Sequence, residues 1–64
     1  MKRNLLIKHL GEKNCLLHRE GSNHSMFRNT ENGKKAAVPR HPNIDEYLAF
    51  DICKQLGIPK PKIN

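Results

Sequence analysis

The 64-residue chain has no apolar run approaching the ~18 residues that a membrane-crossing helix requires. Its stretch Leu5–Leu10, LLIKHL, is also too short and too basic for the core of a signal peptide. A cytoplasmic protein is therefore expected. Cysteine is scarce as well: Cys15 and Cys53 stand far apart in apolar contexts, which favours two buried free thiols over a disulfide. The four histidines and two cysteines show no C-x₂-C, H-x₃-H or HExxH spacing, so neither a metal centre nor another cofactor is expected. Internal repeats and low-complexity tracts are absent.

Acidic residues are few. Six Asp and Glu stand against twelve Lys and Arg, a net charge of +6. Such a balance favours polyanionic partners and says nothing by itself about the fold. A chain of this length forms one domain and buries only about 60% of its unfolded surface. It cannot enclose a large substrate pocket, so any chemistry must sit on an open face, across which a polymeric substrate can lie.

The pattern along the chain reads α-β-β-β-α. KRNLLIKHLGEKN predicts a short helix whose apolar face is Leu6, Ile7 and Leu10, ended by Gly11 or by the Lys13-Asn14 pair. Strands are expected at about 14–19 and 23–29, joined by a turn in which Gly21 supplies a positive φ. A three-residue loop would set His18 opposite His24 and Leu17 opposite Ser25. Asn32-Gly33 is a strong hairpin signal leading to a third strand at about 35–39, where Pro39 ends the ladder or marks an edge. In the last helix, Asn43 and Glu46 have capping-box spacing, Leu48, Ile52 and Leu56 form a stripe beside Cys53, and Gly57 suits the C-terminal cap. The expected class is α+β: a three-stranded antiparallel sheet with two helices on one face. Residues 1–58 make the domain, and 59–64 a flexible basic Pro/Lys tail.

Alternation places Leu17 and Phe27 on one sheet face and His24, Met26 and Arg28 on the other. Phe27 is the better core anchor, so His24 should look outward. Cleavage of RNA by its own 2′-hydroxyl needs removal of that hydroxyl's proton, neutralisation of phosphate charge, and protonation of the departing 5′-oxygen. An imidazole can serve the first or third step at cellular pH, and Lys or Arg the second. The segment REGSNHSMFRN, residues 19–29, supplies both kinds of group. Arg28, Lys35 and Arg40 are candidate phosphate contacts, and Gly21 and Ser22 offer a backbone that a phosphate can approach. His18, His41, a lysine or water could act as the second proton-transfer partner. Each of these residues has a plainer reading as a solvated side chain or a loop residue, and Cys15 is read as core filler, not as a nucleophile.

GSNH at 21–24, FRN at 27–29, NGKKAAVPRH at 32–41 and ICKQLGI at 52–58 together resemble the HicA family of bacterial mRNA interferase toxins. The resemblance spans about residues 2–58, in order. It implies a double-stranded-RNA-binding-domain-like fold, ribosome-independent cleavage of mRNA, and an essential histidine in the Gly-x-x-His element, here His24. It also implies neutralisation by a cognate HicB-like antitoxin. The Pro-Lys tail and Phe50, a bulky apolar residue on the last helix, depart from the family pattern. The resulting expectation is a metal-independent endoribonuclease toxin with His24 as general base or acid. One rival is a non-catalytic RNA-binding module of the same fold, against which Asp45 and Glu46 would set negative charge where such modules hold phosphate. The other is a domain that binds only an acidic protein.

Overall fold

The computed structural model describes residues 1–61. Its elements are α1 (Arg3–Glu12), β1 (Cys15–Glu20), β2 (His24–Asn29), β3 (Lys35–Pro39) and α2 (Glu46–Leu56). The strands form one antiparallel sheet in the order β1-β2-β3. Buried side chains of both helices and of all three strands join in a single cluster, so both helices cover one sheet face and leave the other open. The fold is the α+β arrangement expected from the sequence.

In α1, Leu6 and Leu10 stand one turn apart and are fully buried, with Ile7 partly buried against the same cluster. The helix lacks a side-chain N-cap. Instead the Arg3 N–H donates to the Pro42 carbonyl at 2.9 Å, and Ile44 N–H donates to the Met1 carbonyl at 2.7 Å. The start of α1 is thus tied to the segment entering α2. At its other end Asn14 adopts φ 64°, a left-handed conformation that asparagine tolerates better than most residues, and the chain turns into β1.

The inward stripe of α2 is Ala49, Ile52, Cys53 and Leu56. Leu48, expected in that stripe, lies at its margin and is 38% exposed, because Ala49 fills the position against the sheet. The expected Asn43–Glu46 capping box does not form. Asp45 is the N-cap residue, without a side-chain bond, and Asn43 is held in a bridge with Lys2. The C-terminus behaves as expected. Gly57 has φ 71°, its N–H donates to the Lys54 carbonyl at 3.1 Å, and Ile58 N–H donates to the Cys53 carbonyl at 3.0 Å. This is a Schellman closure, and a Cβ at position 57 would come 2.9 Å from the Asn32 amide nitrogen.

Two asparagines join that helix end to the sheet. Asn29, almost fully buried, donates to the Leu56 carbonyl at 2.8 Å and accepts from Glu31 N–H at 2.8 Å. Asn32 donates to the same carbonyl at 3.0 Å and accepts from Lys34 N–H at 2.8 Å. The hairpin expected from Asn32-Gly33 forms, through a loop longer than two residues. Asn29 N–H pairs with the Lys34 carbonyl at 2.8 Å around a four-residue loop, and Gly33 alone takes positive φ, 76°. The wider loop lets Asn32 reach α2.

The first part of the expected tail lies back on the helices. His9 Nε2 donates to the Pro59 carbonyl at 2.8 Å, Lys60 Nζ stands 5.0 Å from the centre of the Phe50 ring, and Pro61 is buried. The remainder of that tail, 62–64, lies outside the described residues.

Two outcomes are expected. Asn29→Ala removes one buried donor and one acceptor, leaves the Leu56 carbonyl less well satisfied, and should lower unfolding free energy by about 2 kcal/mol in a urea titration. The second concerns pH. Cys15 and Cys53 are both free and buried. Burial, and secondarily Cys15, pushes the Cys53 thiol up to about 11 from an ordinary 9.0, and burial with Glu31 raises Cys15. The folded state then keeps protons that the unfolded chain loses, so stability is full below pH 9 and falls as pH rises towards 11. The slope is at most about 1.4 kcal/mol per pH unit for each thiol. Cys53→Ala should flatten it, which denaturation at stepped alkaline pH would measure.

Candidate functional site

The parity of β2 sorts its side chains cleanly. Ser25, Phe27 and Asn29 are buried under the helices, and His24, Met26 and Arg28 occupy the open face. In β3, Ala36 and Val38 are buried. Their neighbours Lys35, Ala37 and Pro39 pair with Arg28, Met26 and His24 respectively. The outward placement of His24 agrees with the sequence reading.

The β1–β2 register does not. His18 is not opposite His24, and Leu17 is not opposite Ser25. The pairs are Cys15 with Asn29, Leu16 with Arg28, Leu17 with Phe27, then Arg19 with Met26 and Glu20 with Ser25, with a bulge between Leu17 and Arg19. The hairpin closes where Gly21 N–H donates to the His24 carbonyl at 2.8 Å, so Gly21, not His18, stands beside His24. Cys15 and Leu17 must meanwhile oppose the inward residues Asn29 and Phe27. Both conditions hold only if β1 carries one extra residue, and His18 is that residue.

The bulge inverts the alternation beyond it. Leu17 and Glu20 line a groove on the helix side with Arg3, Ile7, Ser25, Phe27 and Arg40, whereas His18 and Arg19 take no part in it. Arg19 shares the open face with its partner Met26. Glu20 is turned the other way, where its carboxylate meets Arg40 at 2.8 Å. The open face therefore holds Arg19, Arg28 and Lys35 together with His18 and His24. The carboxylates lie elsewhere: Glu20 on the helix side, and the other five on the helices, the α2 N-cap and the β2–β3 loop.

The expected site residues fall into two groups. Arg28 and Lys35 share the face with His24 and pair with each other. They lie four positions along the strand from His24, about 13 Å away. Arg40 is separated from them. It pairs with Glu20, donates to the Gly21 carbonyl, and so braces the hairpin from the helix side. Gly21 has no positive φ, contrary to expectation. Glycine is needed there for closeness, since a Cβ would come 3.1 Å from the His24 carbonyl. Its N–H is engaged by that carbonyl and does not face a ligand. Ser22 is exposed at the hairpin tip, and His41 is exposed in the loop after β3. Arg19 was not legible as a site residue, because a regular strand would turn it inward. It is nonetheless the cation nearest His24 on the open face, its diagonal neighbour in the register at roughly 7–8 Å.

Among the described residues, no side chain hydrogen-bonds the His24 ring, and no three His, Cys, Asp or Glu side chains gather as metal ligands would. No helix of the described residues is long and apolar enough to cross a membrane. Comparison with known proteins gives no match: no family model, no curated protein and no solved structure matches the chain.

The bulge is directly checkable. Nuclear Overhauser contacts are expected between Leu17 and Phe27 and between Arg19 and Met26. A regular ladder would instead join Arg19 to Ser25.

Proposed function

We propose that this chain is a HicA-like toxin: a ribosome-independent endoribonuclease that cleaves mRNA on the open sheet face, acts in the cytoplasm, and is held in check by a HicB-like antitoxin. The observation that supports this reading is the grouping of His24 with Arg19, Arg28 and Lys35 on a face that, among the described residues, carries no side-chain carboxylate. Fixed cations there attract the RNA backbone and offset the charge that builds on a phosphate under attack. His24 moves a proton at one end of the displacement. The O2′–P bond forms as the 2′-hydroxyl loses its proton, and the P–O5′ bond breaks as the 5′-oxygen gains one. The products are a 2′,3′-cyclic phosphate and a 5′-hydroxyl. No metal ion has a part in these steps.

A non-catalytic RNA-binding module is the second reading, and the unpartnered His24 ring favours it, since a general base is usually oriented by a neighbour. Against it, Asp45 and Glu46 stand at the N-terminus of α2 and would repel a phosphate there.

His24→Ala should lower the cleavage rate of a single-stranded RNA by at least about 100-fold, in excess EDTA as without it. Because His24 is exposed, the change should leave stability within about 0.5 kcal/mol of wild type. RNA that is bound in a salt-dependent way but left intact by the wild-type protein would establish the binding module instead.

A further inference from the structure

Resting on that reading, the geometry points to His18 and His24 as a proton-transfer pair that flanks one scissile phosphate, with Arg19 between them as its cation. Transfer of the phosphoryl group within RNA moves two protons at opposite ends of one phosphorus: one leaves the 2′-oxygen and one reaches the 5′-oxygen. One imidazole serves one end at a time. Two held on a rigid sheet serve both in a single displacement, with one neutral as base and the other charged as acid.

The bulge is what adds Arg19 to the face that holds the two histidines. In a regular ladder His18 would face outward and Arg19 inward. With one extra residue, Arg19 pairs with Met26, and His18, which has no partner in the register, stands beside it at the bulge. Met26 lies two positions from His24 on the same strand face, so Arg19 is diagonal to His24 and His18 is next to Arg19 along β1. Diagonal neighbours of this kind lie roughly 7–8 Å apart in a regular ladder; Arg19 takes that place, and His18 follows one residue further along β1, so that a phosphate seated over Arg19 lies between the two imidazoles. Half-buried Met26 forms the floor between them. The charged groups on this face are Arg19, Arg28 and Lys35. The neighbouring carboxylate, Glu20, is turned to the helix side and held by Arg40, so among the described residues no side-chain carboxylate stands on this face to compete for the imidazolium.

The test separates acid from base by the leaving group. An ordinary oligoribonucleotide is compared with one whose scissile 5′-oxygen is replaced by sulfur, a leaving group that departs without protonation. On the ordinary substrate both His18→Ala and His24→Ala should lose at least about 100-fold in rate. On the sulfur substrate one of the two variants should recover most of the wild-type rate and the other should not. The recovering variant has lost the acid, and the other has lost the base. His18 and His24 are exposed, and circular dichroism should show both variants folded. If His18→Ala cuts ordinary RNA at the wild-type rate while His24→Ala does not, the pair is refuted and the single-histidine reading stands. Equal losses for both variants on both substrates also refute the pair. A wild-type protein that cuts neither substrate refutes the underlying nuclease reading, and a His24→Ala variant that cuts as wild type does refutes both the pair and the assignment of His24.

Discussion

The single extra residue in β1 is the constraint on which the open face depends. Side-chain parity in a strand has a period of two, so one inserted residue reverses every orientation beyond it. Before the bulge, Cys15 and Leu17 lie on the helix side, Cys15 within the core and Leu17 half-exposed in the groove at its edge. After it, Arg19 faces out and Glu20 faces in. Shifting the pairing by one residue would exchange the two and set a carboxylate beside His24. The strand thus resolves two demands at once: apolar residues under the helices, and a positive surface without anions on the other side. Arg40 fixes the outcome from behind, through Glu20 and the Gly21 carbonyl.

The rest of the fold keeps this face in place with little material. The core is a single small cluster, and much of its definition comes from polar ties at the ends of elements. Asn29 and Asn32 close the C-terminus of α2 onto the β2–β3 loop. Met1 and Arg3 close the start of α1 onto the segment before α2. Arg3 also donates to the Pro39 carbonyl at 2.8 Å and to the Ser25 hydroxyl at 3.1 Å, so α1 is anchored to both strands that frame His24. The one buried hydroxyl of the sheet is thereby satisfied. The His24 backbone is thus held from the helix side by Arg3 acting on its neighbour Ser25 and on its cross-strand partner Pro39, and from the hairpin side by Gly21.

Much of this arrangement is legible in the residues. Helical spacing in Leu6, Ile7 and Leu10, the turn chemistry of Gly57, and the strand span ending at Pro39 all lead to the observed elements. Phe27 alone suffices to turn His24 outward, because a large aromatic on an amphipathic strand decides which face is buried. What stays hidden is whatever depends on pairing between distant segments. A bulge leaves no local mark in CLLHRE, since any of its residues can be the extra one, so Arg19 escapes notice and Arg40, which faces the helix side, is expected among the phosphate contacts. The capping box fails for the same kind of reason: Asn43 is drawn into a bridge with Lys2, a contact no local pattern discloses. Gly21 is legible as a turn residue, but the physics that requires glycine there is not. It permits close approach of two chains and does not supply an unusual φ.

The central claim is that the bulge makes the open sheet face the surface that meets RNA. Amide and side-chain NMR shifts, followed during titration with an oligoribonucleotide whose 2′-hydroxyls are methylated to block cleavage, test it most directly. The largest changes should fall on His18, Arg19, His24, Met26, Arg28 and Lys35, and should weaken together as salt is raised. Changes concentrated instead at Asp45–Tyr47, or in the groove of Leu17, Glu20 and Arg40, with the open face unmoved, would contradict the account.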